Sequence, residues 1–416
     1  MKRVLFISDK IWPEDNSGIP IITYKQAFYL KKMQYEIAFL NVSENKEIVK
    51  NNEIGKIYFL PVYNQNFVSI KSLIRNLITK KHVINKLNKI LDDFKPNIIH
   101  INSYFGINPM IFKEFKKRNI KVIREVWFDE DICFKQNLLI EKPQIQTCTG
   151  PENIKKCKQC FMNHYKSNLI TRLSLNILLR NQKHKAQYLY QNIYDKIVFP
   201  DEDFKNMFLK YINTNNSIAI INHGLDFSER EHYVRKYNIP FRIVFLGSLL
   251  ALKGIDIFLN ALEELLQDNF YKDKIEVYIY GYMFDNEYAQ IIKKLRKLYP
   301  NHFFYEGNYM PDDLNNILKD KHLGIVPSYS ETYCRVLREF VYYNIPVITT
   351  NFYGHKIIKN NENGVIIKTG DAMALLSNLK NIINNQDFYN RLANGVSNTK
   401  LPTIQEEINA LIDFYS

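Results

Sequence analysis

The chain has 416 residues, of which 46% are hydrophobic and 24% charged, and its formal net charge is +13. Because single hydrophobic cores stop growing at roughly 250 to 300 residues, this length predicts two domains. No apolar run reaches about 18 residues, and the charge at Asp9 comes too early for a secretory signal, so we expect a cytoplasmic protein without a membrane span. The positive charge predicts anionic partners, which could be nucleic acid, phosphorylated ligands or a negative membrane surface.

Strands and helices alternate through the first half of the sequence, which is the pattern of a parallel α/β sheet. Gly18 lies just before the first helix, where the missing Cβ lets backbone amides approach a ligand, although a plain helix-entry turn fits it equally well. The predicted strands are Lys2–Ser8, Tyr35–Val42, Ile57–Val62, Asn97–Asn102, Lys121–Val126 and Lys196–Pro200. The predicted helices are Pro20–Met33, Ser69–Asp93, Ser167–Gln191 and one that begins at Asp201.

Polar side chains lie at the ends of two of these strands. His100 and Asn102 end the fourth strand, and Arg124 and Glu125 end the fifth. Open α/β sheets bind ligands at the carboxyl ends of their strands, so these four residues are predicted to lie near a ligand.

The predicted helix Ser69–Asp93 is basic and amphipathic. It carries six Lys and Arg residues among apolar residues that recur every three or four positions. Such a helix could lie on an anionic membrane, or it could be a surface helix packed on the sheet.

Four of the five cysteines fall between residues 133 and 160, in the spacing C-x14-C-x8-C-x2-C. Cytosolic thiols stay reduced, so this crowding favours a metal over a disulfide. We predict a structural zinc site made by Cys133, Cys148, Cys157 and Cys160, in which His164 could replace one ligand. Buried or redox-paired thiols are the alternative.

The second half repeats the alternation and has its own predicted sheet. The polar stretch Asn213–Ser217 marks the boundary, which gives domains of residues 1–215, with a Cys-rich insertion at 133–160, and 216–398, followed by a terminal helix in 399–416. The predicted strands are Arg242–Gly247, Glu276–Gly281, Phe303–Gly307, Leu323–Pro327, Pro346–Thr350 and Gly364–Thr369. Helices are predicted from Ile255, from about Thr332, over Asp371–Asn385 and over Ile404–Tyr415.

The stretch from Leu323 to Thr350 is typical of a nucleotide-sugar pocket. A helix from about Thr332 would use the amides of Tyr333, Cys334 and Arg335 as its first turn, where unpaired N–H groups and the helix dipole attract phosphate. Glu331 at its start and Glu339 two turns later would then be free to bind hydroxyl groups. Solvated helix charges are the alternative for this pair of carboxylates.

Residues at other strand ends complete the predicted pocket. Gly247 keeps the turn after its strand open, and Lys253 can neutralise a diphosphate as a point charge. Tyr280, Gly281 and Tyr309 lie at two further strand ends, where they could line a base pocket.

These motifs resemble the donor site of the retaining, nucleotide-sugar-dependent glycosyltransferases of family four. The resemblance rests on Pro327-Ser328, on the Glu331-x7-Glu339 pair and on the segment 344–348, Asn-Ile-Pro-Val-Ile, which lacks the family's glycine. The chain has Tyr333-Cys334 where the family usually has Phe-Gly. It also has Ser248 where relatives often have Arg, and Arg124-Glu125 where many have His-Asp; a subset of the family shows a similar Cys-rich insertion.

The resemblance implies the GT-B fold, with two doubly wound Rossmann-like domains facing a cleft and a carboxy-terminal helix that packs back on the first domain. It implies a retaining hexosyltransferase that uses a UDP or GDP sugar, acts on a glycan or lipid-linked acceptor of a surface polysaccharide, and needs no metal for catalysis. The enzyme would be cytoplasmic, or peripheral on the inner face of the plasma membrane.

The family also assigns roles to residues of this chain. Glu331 would bind sugar hydroxyls, Lys253 and Arg335 would stabilise the leaving diphosphate, and Glu339 would hold the ribose. The acceptor side would include His100, Asn102, Arg124 and Glu125. The donor site would comprise Gly18, Gly247, Ser248, Lys253, Tyr280, Gly281, Tyr309, Ser328, Glu331, Tyr333, Cys334, Arg335 and Glu339.

Two other classes of function stay open from the sequence. A GT-B epimerase or hydrolase would share the ribose carboxylate and would act on a nucleotide sugar without an acceptor. A basic zinc-containing nucleic-acid-binding protein would explain the charge and the cysteines. We expect no nucleic-acid partner, because Trp127 and Phe128 near the cysteines lie more naturally at a strand end.

Overall fold

A computed structural model describes residues 2–15, 17–43, 49–61, 70–141, 144–165, 169–226 and 233–416. The chain divides into two compact units. Unit 1 comprises residues 1–138, 149–223 and 404–416, and unit 2 comprises residues 139–148 and 224–403. The chain therefore passes from one unit to the other after Leu138, after Cys148, after His223 and after Thr403.

Unit 1 is built on an eight-stranded sheet in the order β10-β9-β6-β5-β1-β2-β4-β3. Every neighbouring pair is parallel except β3 with β4, so the polar residues that follow most strands meet at one edge. The strands of this sheet are β1 (Arg3–Ile7), β2 (Glu36–Ser43), β3 (Val49–Asn51), β4 (Lys56–Pro61), β5 (Ile98–Ile101), β6 (Lys121–Glu125), β9 (Lys196–Phe199) and β10 (Ser217–Ile220). Strands β7 (Leu139–Ile140) and β8 (Gln146–Thr147) form a separate antiparallel hairpin that belongs to unit 2. The helices in this part of the chain are α1 (Gly18–Lys32), α2 (Ile70–Phe94), α3 (Lys113–Lys116), α4 (Ile154–His164), α5 (Leu169–Asn192) and α6 (Glu202–Phe208).

The last helix, α14 (Ile404–Tyr415), belongs to unit 1, as the GT-B prediction expects. Its apolar residues Ile404, Ile408 and Leu411 are buried with strand residues of that unit such as Phe6 and Phe39. The spacing of four and three residues puts them on one helical face, so α14 closes the core of unit 1.

Unit 2 contains a six-stranded, fully parallel sheet in the order β13-β12-β11-β14-β15-β16. Its strands are β11 (Phe241–Leu246), β12 (Ile275–Tyr280), β13 (Phe303–Gly307), β14 (Leu323–Val326), β15 (Val347–Thr350) and β16 (Gly364–Ile367). Its helices are α7 (Ile255–Gln267), α8 (Asn269–Lys272), α9 (Asn286–Leu298), α10 (Leu314–Leu318), α11 (Arg335–Tyr342), α12 (Ala372–Asn384) and α13 (Gln386–Ser397).

Helices cover both faces of this sheet, which explains why its strands are continuous apolar runs. Along β11, Ile243 and Phe245 pack into the layer that holds α7, α12 and α13. Val244 and Leu246 point the other way and pack with α10 and α11. The two Rossmann-like halves that the sequence predicts are therefore present.

One predicted element begins later than expected. The helix predicted from about Thr332 begins at Arg335, because Cys334 before it has the left-handed backbone angles φ 58° and ψ 86°. Tyr333 and Cys334 are therefore not part of the first helical turn.

Three sequence predictions reach beyond the described part of the chain. Val62, at the end of a predicted strand, lies outside the described residues, and two predicted helices do so in part. Ser69 and the side chains of residues 70–80 in the basic segment lie outside the described residues, as does Ser167 at the start of the long helix. Among the described helices, none is both long and apolar enough to cross a membrane.

Candidate functional site

The candidate site in unit 2 lies where the strand order of the parallel sheet reverses. β11 is followed in the chain by β12 on one side, but its other neighbour in the sheet is β14. Open α/β sheets bind ligands in the crevice at such a switch point, outside the carboxyl ends of the strands. Here these ends are Gly247 after β11 and Pro327-Ser328 after β14.

Glycines allow the chain segments at this edge to approach closely. Gly254, which directly precedes α7, has φ 67°, and a Cβ there would lie 2.0 Å from the carbonyl oxygen of Pro327. Gly281 after β12 has φ 150°, and a Cβ there would lie 1.8 Å from the carbonyl oxygen of Gly247. Only glycine fits either position without moving the backbone. The three strand ends are thereby held together around the candidate site.

Lys253 and Glu331 form an ion pair at this edge. The Lys253 Nζ atom lies 2.6 Å from Oε1 of Glu331, which also accepts a hydrogen bond of 3.0 Å from the Ser328 hydroxyl. Burial alone would lower the pKa of Lys253, but the Glu331 carboxylate raises it above its ordinary value. The lysine is therefore a permanent positive charge, still partly exposed, at the strand edge.

Arg335 and Glu339 form a second pair on the first turns of α11. The Arg335 Nε atom donates to Oε1 of Glu339 over 2.6 Å, at the i,i+4 spacing of a helix. Glu339 is 5% exposed, and its Oε2 atom has no hydrogen-bond partner among the described residues. Because a buried carboxylate oxygen without a partner is costly, this atom is ready to accept hydrogen bonds from a ligand.

Aromatic rings lie next to this second pair. Burial and the charge of Glu339 raise the pKa of Tyr309, whereas Arg335 lowers it. The Tyr280 ring packs edge-on against Tyr309 with centroids 6.4 Å apart, and burial raises the pKa of Tyr280 to about 12. Both phenols are therefore neutral at physiological pH and form an apolar wall with polar tips.

Cys334 and Tyr333 sit between the two pairs and are buried. Burial and the charge of Glu331 raise the pKa of the Cys334 thiol, so it stays protonated at neutral pH. Arg338 stacks on the Tyr333 ring at 3.4 Å and donates to the Tyr333 carbonyl, which fixes this irregular turn. Ser248 is half-buried after Gly247.

Three supporting residues were not singled out from the sequence. The Thr350 hydroxyl donates to the Ser328 carbonyl over 2.5 Å. The Tyr329 hydroxyl donates to Oδ2 of Asp256 over 2.9 Å, which ties the Ser328–Glu331 turn to the start of α7. Tyr329 and Thr350 are adjacent to motif residues, but their hydrogen-bond partners are distant in sequence, so the sequence holds no local signal for these contacts.

In unit 1 the predicted polar residues form a buried network. Glu125 lies 2.9 Å from Nε2 of His100 and 3.4 Å from Nε2 of His223, whose Nδ1 lies 3.0 Å from Glu407 on α14. Gln26 on α1 donates to Glu407 over 2.8 Å and to Glu125 over 3.1 Å. Glu125, His223 and Glu407 each offer a possible ligand atom within 4.8 Å of the others. However, the two ring nitrogens of His223 face different carboxylates, which is the geometry of an internal hydrogen-bond network.

Arg124 forms a second buried cluster on the neighbouring side. Its guanidinium contacts Glu130, lies 3.1 Å from Asp131 and donates to the Asn102 carbonyl over 2.9 Å. Tyr190 also donates to Asp131, over 2.8 Å. Burial raises the pKa of Glu130 and the Asp131 charge adds to this, although Arg124 opposes both. Neither Glu130 nor Asp131 was singled out from the sequence.

The four residues predicted for the acceptor side are part of these networks. His100, Asn102, Arg124 and Glu125 are all 0% exposed, and each is engaged by partners inside unit 1. They lie at the predicted strand ends, but they support the sheet edge from within.

Gly18 and the cysteines are separate from these networks. Gly18 is the exposed first residue of α1, with no heavy atom within 4 Å of a Cβ built there. Cys133, Cys157 and Cys160 are half-buried residues of unit 1, whereas the half-buried Cys148 ends the first segment of unit 2.

Part of the chain matches the model of a known protein family. Residues 229–398 match the family model described as glycosyl transferases group 1. A search of curated proteins gave no match.

Solved structures that resemble the chain share its fold over nearly the whole length. A sucrose-phosphate synthase from Thermosynechococcus elongatus has 12% identity and a TM-score of 0.68, with 100% of this chain and 98% of that chain covered. WaaG, a glycosyltransferase involved in lipopolysaccharide biosynthesis, has 13% identity, a TM-score of 0.67 and 99% coverage of both chains. Anabaena Alr3699/HepE in complex with UDP-glucose has 10% identity, a TM-score of 0.64 and 100% coverage of both chains.

Proposed function

The chain has the GT-B fold, and we propose that it is a group 1 glycosyl transferase. It would move a hexosyl group from a nucleoside diphosphate sugar to a glycan or lipid-linked acceptor, with retention of the anomeric configuration. A UDP or GDP sugar is the proposed donor. The similar HepE is described in complex with UDP-glucose and the similar Escherichia coli trehalose-6-phosphate protein with UDP-2-fluoro glucose, which supports a nucleotide sugar.

The observation that carries the proposal is the buried carboxylate of Glu339. Arg335 occupies one of its oxygens, while the other has no partner among the described residues. A ribose presents two neighbouring hydroxyl donors, and a hydrogen bond to a charged acceptor contributes roughly 1.5 to 3 kcal/mol. Ribose binding therefore offsets the cost of the unsatisfied oxygen.

The leaving diphosphate would bind between Lys253 and Arg335. The two side chains bring two positive charges to a partly buried edge, where electrostatic stabilisation of a developing charge is strongest. The bond between the anomeric carbon and the phosphate oxygen breaks, and the acceptor oxygen bonds to that carbon from the same face. The acceptor proton passes to the departing phosphate. We propose that this step needs no metal ion, because the two cationic side chains neutralise the diphosphate.

The sugar would lie beside Glu331. Its carboxylate is held by Ser328 and Lys253, so it is oriented before the donor arrives. A carboxylate that accepts hydrogen bonds from sugar hydroxyls also stabilises the positive charge of an oxocarbenium-like transition state. We assign the buried residues of unit 1, including Glu125 and Arg124, as supports of the acceptor region.

A panel of nucleotide sugars tests the proposed reaction. Purified enzyme should hydrolyse one UDP or GDP sugar slowly when no acceptor is present, and the released sugar should keep its anomeric configuration. An epimerase would instead convert the donor to its epimer, which product analysis by NMR would reveal. Failure to bind or turn over any nucleotide sugar would refute the proposal.

We further propose that the acceptor is a lipid-linked intermediate of a surface polysaccharide, reached at an anionic membrane surface. The described half of α2 does not support a bilayer contact through its apolar face, because Leu87, Ile90 and Leu91 are buried in unit 1. The segment 153–192, which contains α4 and α5, is the better candidate. It has no Asp or Glu, and its Ile177 is 63% exposed.

Vesicle sedimentation tests this membrane contact. Arg180, Lys183 and Lys185 are exposed on α5, and each should contribute about 1 kcal/mol near an anionic bilayer. Changing all three to Glu should abolish sedimentation with anionic vesicles at low salt. Glu substitutions at Lys293 and Lys297, which are exposed on α9 of unit 2, provide a matched control. Wild-type protein that stays in the supernatant would refute the membrane contact without affecting the transferase proposal.

A further inference from the structure

The short helix α4 is not held in place by a hydrophobic core. It spans eleven residues, Ile154–His164, and has no buried residue. The Asn153 side chain caps its start by accepting from the Lys156 amide over 2.8 Å. Isolated helices shorter than about 12 to 15 residues are marginal in water, so a cap alone does not explain an ordered helix here. Segments without a core are commonly held by a disulfide or a metal ion.

The cysteines of α4 lie on one face of the helix. Cys157 and Cys160 are three residues apart, and His164 follows four residues later. Residues three and four apart are neighbours on a helix surface, so consecutive members of this row can ligate the same ion. Both cysteines are half-buried, which favours a stable thiolate–metal bond over open exposure to solvent.

Contacts between neighbouring residues bring Cys133 to the same helix. Phe134 directly follows Cys133, and its ring centroid lies 5.2 Å from that of Phe161 and 6.2 Å from that of Tyr165. Phe161 directly follows Cys160. The chain at Cys133 is therefore fixed beside the end of α4 that carries the Cys-x2-Cys pair.

A second segment of the chain is anchored at the start of α4. The Lys156 Nζ atom lies 3.0 Å from the Thr149 hydroxyl, and Tyr211 donates to the Thr149 carbonyl over 2.9 Å. Thr149 directly follows Cys148, and Lys156 directly precedes Cys157. The first turn of α4 is thus tied to Thr149 and, through Thr149, to Tyr211 within unit 1.

We propose that Cys133, Cys157 and Cys160 of unit 1 bind one structural zinc ion, with His164 of the same unit as the fourth ligand. Thiolates select zinc over the hard divalent cations, and a structural zinc site is closed by four ligands in tetrahedral geometry. Each ligating thiol releases its proton to solvent when the ion binds, and no electron is transferred. The ion joins α4 to the segment that carries Cys133, and this replaces the missing apolar core of the helix.

Elemental analysis of the full chain, purified without added metal or chelator, tests the proposal directly. About one equivalent of zinc per chain is expected, and less than about a tenth of an equivalent would overturn the site. One equivalent of iron in place of zinc would also overturn the assignment. Because this measurement uses the wild-type protein, it does not depend on whether any variant folds.

Cobalt substitution and single variants then identify the ligands. The Co²⁺ form should show thiolate-to-cobalt charge-transfer absorption, and Cys157→Ser should weaken it and reduce zinc retention against a chelator by about ten-fold or more. Cys334→Ser is the matched control, because this fifth cysteine lies in unit 2 and should leave the zinc content unchanged. His164→Asn should also reduce zinc retention, and unchanged retention in this variant would overturn the assignment of His164 as the fourth ligand. Full zinc retention in Cys157→Ser would overturn the site.

Discussion

The Glu339→Gln substitution is the sharpest test of the donor site. It removes the charge of the carboxylate but keeps the shape of the side chain. The two carboxylate oxygens of Glu339 differ in their hydrogen bonds. Oε1 accepts from Arg335 over 2.6 Å, whereas Oε2 has no partner among the described residues. The free oxygen is the one that a ribose hydroxyl would contact, so the substitution should weaken nucleotide binding in particular.

The expected size of the effect follows from the strength of charged hydrogen bonds. Such a bond contributes roughly 1.5 to 3 kcal/mol, so nucleotide affinity should fall between about 10-fold and about 150-fold. The ribose is held alike before and during the transfer, so the loss should raise KM with little change in kcat. Glu331→Gln is the matched control, because it should lower kcat without weakening UDP or GDP binding.

Calorimetry with altered nucleotides separates ribose binding from a general disturbance of Arg335. Wild-type enzyme should bind UDP more tightly than 2′,3′-dideoxy-UDP, whereas Glu339→Gln should bind the two with nearly equal affinity. GDP and its dideoxy form replace these ligands if the donor is a GDP sugar. A variant with an unchanged melting temperature and unchanged affinity for the natural nucleotide would refute the ribose assignment.

Three further predictions concern single positions. Lys253→Gln should reduce kcat by about 100-fold, because it removes one of the two charges that stabilise the leaving diphosphate, and steady-state kinetics on the identified donor would measure this. Gly254→Ala should lower the free energy of unfolding by more than about 1 kcal/mol, since its φ of 67° is left-handed and its Cβ would meet the Pro327 carbonyl oxygen at 2.0 Å; denaturant unfolding that matches the wild type would contradict this. Gly18→Ala should preserve or raise stability, because nothing lies within 4 Å of the new Cβ, so any loss of donor affinity in calorimetry would report close approach of the ligand.

The buried strands of unit 2 could be predicted closely because parallel sheets covered on both faces need continuous apolar runs. β14 and β15 follow this rule, and the motif residues at their ends therefore appear where the sequence predicts. The start of α11 could not be predicted in the same way. A non-glycine residue rarely adopts positive φ, so the sequence Tyr333-Cys334 does not indicate a left-handed backbone conformation. Cys334 nevertheless adopts this conformation, and the helix therefore begins only at Arg335.

The polar residues of unit 1 show a different limit of sequence reasoning. Strand periodicity places Arg124 and Glu125 at the carboxyl end of β6, but it does not show what covers them. Glu125 contacts His223, which lies 98 positions later in the sequence, and His223 in turn contacts Glu407, which lies 282 positions after Glu125. Partners this distant are brought together only by the closed fold, so burial of these charges had no local signal.

The pair of Lys253 and Glu331 suggests why donor binding and sugar orientation are coupled. Without a donor, the lysine and the carboxylate neutralise each other at 2.6 Å, and Ser328 holds the carboxylate in place. On the proposed function, an arriving diphosphate competes for Lys253, because two phosphate charges attract the ammonium more strongly than one carboxylate does. Glu331 then loses its cationic partner and becomes a stronger acceptor for the sugar hydroxyls at the same moment. The phosphate therefore activates the group that binds the sugar, so a nucleoside monophosphate sugar should be both a weaker ligand and a poorly oriented one.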